Sequence, residues 1–290
     1  MNHLLALLFG VVEGLTEFLP VSSTAHIRIA QFLCGISPED KFWAMFAVVI
    51  QLGAILAVVG YFWGRILKFV KTFPKGEKGN RTWMNHPLML VMIAFVVTAG
   101  PAYLLKKVIE KNLESPYVMG AALVIGGIIM WVVDALFTRP KITHVEEMGI
   151  LEAVWIGAVQ ILSAVFPGTS RSMCTIAGGQ VFGMSRAAAL EFSFFLSIPT
   201  MFAATGKELF DYVRPKADAL TGIRPPAIHV TGEQWALVLV GFVVSFIVAW
   251  GVIAWFMNWV KTRGFVPFAV YRIVVGVAVL VMASRLAAHG

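Results

Sequence analysis

Glu13 and Glu17 are the first residues of this chain whose type and spacing suggest chemistry. Four residues apart, they share one face of a helix. The run around them, His3 to Leu19, is otherwise apolar. Two carboxylates in a membrane interior are costly unless protonated, paired or bound to a metal. They read as a site for a hard cation or as a general acid–base pair. Pro20 breaks the run, and Ser22, Ser23 and Thr24 follow at once. One of these hydroxyls is expected to cap the next helix. A buried helix N-terminus with free N–H groups is also an anion site. His26, three residues after Ser23, is a candidate nucleophile, or a base toward a serine or water.

A second cluster reads Pro167-Gly168-Thr169-Ser170-Arg171-Ser172. Gly168 permits a tight turn and close backbone approach, and the hydroxyls cap a helix from Ser172 to Phe182. Arg171 carries a permanent charge and can grip a phosphate through two donors. In an apolar run it needs an anion, either a phosphate or Glu13 and Glu17 until a phosphate arrives. Thr175, one turn on, adds a donor. Glu191 reads as a brace for Arg171 or Arg186, while Arg28 and Arg186 read as interfacial anchors. Gln51 and Ser197 either line a cavity or bond a helix across an interface. Packing and snorkelling account for Tyr271 and Arg272 in the last apolar run.

The two clusters follow one template. GVVEGLTEFLPVSSTAH runs from Gly10 to His26, and GAVQILSAVFPGTSRS from Gly157 to Ser172. Gly10 matches Gly157, Leu15 matches Leu162, Thr16 matches Ser163, and Pro20 matches Pro167; Ser22-Ser23 falls on Thr169-Ser170. The charges differ: acids and His26 in the first copy, Arg171 in the second. A duplicated scaffold with divided chemistry implies one composite site.

The elements that must position these residues follow from hydropathy. The chain is 59% hydrophobic and 13% charged, against roughly 25% charge in soluble domains, so a multi-span membrane protein is expected. Six runs are long enough to cross the bilayer: Phe42–Trp63, Pro87–Leu105, Tyr117–Phe137, Ala187–Thr205, Gln234–Met257 and Phe265–Arg285. Four shorter runs, His3–Leu19, Ser23–Leu33, Ile150–Phe166 and Ser172–Phe182, read as two re-entrant helical hairpins. The expected fold is an all-α polytopic membrane protein, a single domain over 1–290 with repeat units 1–138 and 148–290. Three spans per unit make the second unit inverted, so the hairpins meet near the midplane. Met1 to Leu19 lacks the basic start and cleavage site of a signal peptide. Cys34 and Cys174 are isolated and read as apolar fillers.

Basic residues concentrate in three loops, Gly64–His86, Arg139–Gly149 and Asn258–Gly264. These are assigned to the cytoplasm, which puts the Glu13/Glu17 hairpin outside. The opposite loops hold Lys106, Lys107, Lys111, Lys207, Arg214, Lys216 and Arg224, more dispersed and mixed with acids. The net charge of +7 suits anionic lipid, and no aromatic-basic face for nucleic acid is present.

EGLTEFLPVSSTAH together with PGTSRS resembles the undecaprenyl-diphosphate phosphatase family, also known for bacitracin resistance. VVIQLGAILAVV, EFSFFLSIP and FVPFAVYRIVVG extend the resemblance over nearly the whole chain. It implies an enzyme of the bacterial inner membrane, with its site open to the periplasmic face. Such an enzyme hydrolyses undecaprenyl diphosphate to the monophosphate and inorganic phosphate, recycling the lipid carrier for peptidoglycan and other envelope polymers. It implies metal binding by Glu13 and Glu17, and catalytic roles for Glu17, Ser23, His26 and Arg171. Diphosphate binding falls to Ser22, Gln51, Ser170, Arg171, Ser172 and Thr175, and Mg2+ or Ca2+ is the expected cofactor. The attacking group is left open among Ser23, His26 and water. Expected partners are the polyprenyl diphosphate, the bilayer and, as an open option, a second copy in a homodimer. Ala25 and Met173 stand where the family usually has Gly; Met173 is expected to narrow the site or move the helix start. A lipid-phosphate transporter or flippase on the same repeat is the alternative; the Glu17/Ser23/His26 cluster favours hydrolysis.

Overall fold

The structure, a computed structural model, describes residues 2–37, 40–113, 115–214 and 230–289. Lys216 and Arg224 lie outside them. Among the described residues twelve α-helices are present and no strand, only an isolated bridge between Ile142 and Met184. They are α1 (Asn2–Thr16), α2 (Ser23–Leu33), α3 (Lys41–Tyr61), α4 (Trp63–Thr72), α5 (Pro87–Leu104) and α6 (Lys106–Leu113). Then come α7 (Pro116–Leu136), α8 (Ile150–Val165), α9 (Arg171–Val181), α10 (Arg186–Val213), α11 (Gly232–Thr262) and α12 (Val266–His289).

Helices α3, α5, α7, α10, α11 and α12 are long and apolar enough to span a membrane. The chain is a multi-pass, all-helical membrane protein. All six spans fall where hydropathy predicts them, although α10 continues past Thr205 and α11 past Met257. Side-chain caps mark several starts. Ser115 accepts from Val118 N at 3.3 Å with Pro116 beginning α7, and Ser185 accepts from Ala188 N at 3.2 Å at the start of α10. The basic loop after α3 is not all irregular, because α4 occupies its first part with a strongly one-sided apolar face.

Lipid tails are as apolar as leucine, so helices in a membrane associate through close packing and small residues. The main helix pairs obey this: α1 lies along α11, α8 along α5, α3 along α10 and α11, and α7 along α12. A Cβ on Gly10 would stand 2.7 Å from Gly241 O, and one on Gly157 2.5 Å from Ala94 O. Every one of these pairs joins an element of the first template half to one of the second. Aromatic edges fill the space around the first break: Phe18 meets Phe194 at 5.4 Å in a T-shaped pair, a contact type worth about 0.5–1.5 kcal/mol.

Candidate active site

The two helix breaks carry the same backbone device. Ser22 (φ 75°) and Ser170 (φ 71°) both adopt left-handed backbone, which is uncommon for residues other than glycine and clusters at functional sites. Each then caps the following helix. Ser22 Oγ accepts from Ala25 N at 3.4 Å and Ser170 Oγ from Met173 N at 3.3 Å. The structural counterpart of Ser22 is therefore Ser170, not Thr169. The template register slips by one residue after the proline, where Gly168 (φ 96°) takes up the extra position. With that correction Ser23 and Arg171 are equivalent: each is the first residue of its helix, α2 or α9.

The two loops touch. Ser172 Oγ donates to Leu19 O at 2.9 Å. Arg272 donates from Nη1 to Pro20 O at 3.0 Å, and from Nη2 to Gly168 O at 3.1 Å and Ala122 O at 3.2 Å. It is fully buried, so the snorkelling expectation is wrong: this arginine staples both breaks to α7. Gly126 makes the room, because a Cβ there would collide with Arg272 Nη2 and come 2.9 Å from Met173 Cε. Met173 packs into that gap, buried and not among the cavity-lining residues. α9 begins at the position equivalent to the start of α2.

A cavity of about 240 Å³ opens beside the junction. Glu17, Ser22, Ser23, Gln51, Ser170 and Arg171 all line it. Ser23 Oγ donates a hydrogen bond to Glu17 Oε2. Arg171 Nη2 stands 3.6 Å from Glu17 Oε1, and its Nη1 donates to Ser193 O at 3.1 Å. Arg171 Nε and Nη2 are buried without a hydrogen-bond partner. A permanently charged group held with open donors beside a hydroxyl–carboxylate pair is suited to gripping an anionic group under attack.

Ser172, Thr175 and His26 stand back from the cavity. Ser170 and Ser172 hydroxyls lie 3.0 Å apart; since Ser172 gives its proton to Leu19 O, Ser170 donates to Ser172. Thr175 donates to Ser193 Oγ at 2.7 Å and holds α9 to α10. His26 Nδ1 lies 2.7 Å from Ser22 O and its Nε2 2.7 Å from Tyr271 Oη. A carbonyl only accepts, so Nδ1 carries the proton there and the neutral ring accepts from Tyr271. Both ring nitrogens are thus engaged, and His26 is not among the cavity-lining residues.

Three weaker assignments are corrected. Glu191 pairs with Arg65 at 2.9 Å rather than with Arg171 or Arg186. Arg186 is bound to the buried Asp134 at 2.6 Å rather than anchored in the interface. Ser197 donates to Phe194 O of its own helix at 2.6 Å and does not line the cavity.

The family model described as "Bacitracin resistance protein BacA" matches residues 6–278. The chain belongs to the BacA family. The undecaprenyl-diphosphatase of Koribacter versatilis is 59% identical over 284 residues, 98% of this chain and 99% of that relative. The undecaprenyl-diphosphatase of Novosphingobium aromaticivorans is 42% identical over 275 residues, covering 95% and 96%. That of Caldanaerobacter subterraneus is 41% identical over 281 residues, covering 97% and 96%.

In this BacA-family chain the donor chemistry suits a hard divalent cation. Glu13 is fully buried, and apart from the neighbouring Glu17 carboxyl neither of its carboxylate oxygens has a hydrogen-bond partner. Its carboxyl group lies close enough to Glu17 to interact with it electrostatically. With Ser23 Oγ these are oxygen donors, the type Mg2+ and Ca2+ take. No cluster of three or more His, Cys, Asp or Glu side chains forms among the described residues. The remaining positions would fall to phosphate oxygens and water, as is usual for Mg2+.

The same BacA-family cavity has a neutral wall that inspection of charge overlooks. Thr98, Gln160, Ser163 and Thr200 line it too. Gln160 was open to discovery, since it falls on Glu13 in the template.

Proposed function

We propose that this chain hydrolyses undecaprenyl diphosphate to undecaprenyl phosphate and inorganic phosphate. Family membership and relatives named for that activity support the reading, and one structural observation carries it: the buried Arg171, its Nε without a hydrogen-bond partner and its Nη2 3.6 Å from Glu17 Oε1, beside the Ser23–Glu17 pair. Arg171 holds the terminal phosphoryl group. Ser23 Oγ attacks its phosphorus, and Glu17 takes the hydroxyl proton. The bond from that phosphorus to the bridging oxygen breaks, and undecaprenyl phosphate leaves with the electron pair. Glu17 passes that proton to the departing undecaprenyl phosphate and is a carboxylate again. Water, losing a proton to Glu17, then attacks the phosphoserine; the bond from phosphorus to Ser23 Oγ breaks, Glu17 returns the proton to Ser23, and inorganic phosphate leaves. Glu13 and Glu17 would hold a divalent cation, which supplies charge stabilisation on the transferring oxygens. Arg171 contributes most as those oxygens gain charge.

The short pairs α1–α2 and α8–α9 act as re-entrant hairpins of an inverted repeat, with units 1–138 and 148–290. Their lengths support this. Eleven to sixteen residues rise about 16–24 Å as helix, short of the roughly 30 Å hydrocarbon core. The bacterial relatives support an inner-membrane location, and the concentration of Lys and Arg in three loops supports a site facing outward. The polyprenyl tail stays among lipid chains.

Phosphate release by the purified protein in detergent tests the reading. Without two compartments an enzyme still turns over and a transporter does not. Release of phosphate from undecaprenyl diphosphate is expected; its absence in folded protein with Mg2+ and Ca2+ supplied would overturn the assignment.

A further inference from the structure

Gln160 occupies the position in α8 that Glu13 holds in α1, is 1% exposed, and lines the same cavity as Arg171. Its amide has a fixed orientation. Nε2 lies 2.9 Å from Thr98 Oγ1 and 3.5 Å from Thr200 Oγ1. Thr98 directs its one hydroxyl proton to Gly157 O at 2.8 Å and Ala94 O at 2.9 Å. Thr200 sends its proton to Leu196 O at 2.8 Å. With those protons on carbonyls, both hydroxyls accept from Gln160, and the NH2 group is assigned to face them. The amide oxygen Oε1 is left buried without a hydrogen-bond partner. That oxygen is an acceptor only, and an unmet acceptor at membrane depth is costly.

We propose that Gln160 is a specificity-determining residue that accepts a hydrogen bond from the protonated oxygen of a bound phosphate group. The cavity then selects the monoprotonated phosphoryl group over the fully ionised one. Arg171 offers donors, which any phosphate oxygen satisfies. A fully ionised phosphate set against Gln160 Oε1 places acceptor on acceptor, whereas a P–OH turns the same contact into a hydrogen bond. This inference rests on the phosphatase reading.

Inorganic phosphate is the probe. Its equilibrium binding to wild-type protein is measured through its second ionisation, roughly pH 6 to 8, beside kcat and KM for phosphate release. Wild-type binding is expected to weaken as pH rises. Gln160→Leu is expected to lose about tenfold in phosphate affinity at the acid end, to flatten the pH dependence, and to raise KM more than it lowers kcat. Gln160→Met, unbranched and of similar length, serves if the leucine variant fails to fold. Wild-type binding that is flat or strengthens with pH overturns the proposal whatever the variants do. Unchanged affinity and slope in a folded variant also overturn it. So does a loss confined to kcat, which would assign the amide to the attacking water. Wild-type protein that binds phosphate with the expected pH dependence but releases none would sink the phosphatase reading instead.

Discussion

At the scale of single residues, the chemistry is split between the first residues of two equivalent helices. Ser23 opens α2 and gives its proton to Glu17, while Arg171 opens α9, sets Nη2 3.6 Å from Glu17 Oε1 and leaves Nε without a hydrogen-bond partner. Glu13 is the residue whose role separates cation binding from proton transfer. Glu13→Gln keeps the shape but removes the charge, so half-maximal phosphate release should need roughly 10- to 100-fold more Mg2+ or Ca2+. A cation titration with an unchanged midpoint would show that Glu13 does not hold the ion. Glu13, Glu17, Ser23 and Arg171 are legible in sequence because charge or clustered hydroxyls in an apolar run have no inexpensive alternative explanation. Arg272 is not legible in that way: an arginine in the last span suits snorkelling equally well, and only its full burial against three carbonyls separates the two. Gln160 is hidden for another reason, since a neutral amide attracts no notice until its neighbours show that its oxygen lacks a partner.

At the scale of elements, the short helices depend on close backbone approach and on the staple between their breaks. The six spans are readable because twenty apolar residues have few other uses, and α2 begins and ends where the sequence places it. The register between the copies is not readable through the break. Gly168 adds a residue there without disturbing the helical period on either side, so matching prolines conceals the slip. The amphipathic α4 is masked by the basic residues around it. Arg272 bonds both breaks and α7, and its removal should displace the site without unfolding the spans. Arg272→Met is expected to lower phosphate release roughly 100-fold, the cost of about 1 Å of misplacement, with helix content by circular dichroism unchanged. Near wild-type turnover in that variant would show that the breaks hold their geometry without the staple.

At the scale of the whole molecule, the two halves interlock, and ion pairs near the ends of spans bind them. Arg65 bonds both Glu146 and Glu191, and Asp134 takes Arg186, Gln180 and the Phe265 amide. Burial alone would raise the Glu146 carboxyl, but its hydrogen bonds and charge pairing with Arg65 hold it below its ordinary value near 4.5. A carboxylate with a lowered folded value contributes stability that is present above about pH 4.5 and is lost as pH falls through the lowered value. The thermal midpoint should drop across that acid range, and Glu146→Gln should drop less steeply; identical slopes would remove this pair from the account. The central claim is that one phosphatase site is built from both halves, with Glu17 from the first break and Arg171 beside the second. Phosphate release from undecaprenyl diphosphate by folded Glu17→Ala and Arg171→Ala proteins tests it most directly. Each variant is expected to lose on the order of 10³-fold or more, the scale of an arginine that stabilises phosphoryl transfer. Turnover near wild type in either one would contradict the composite site.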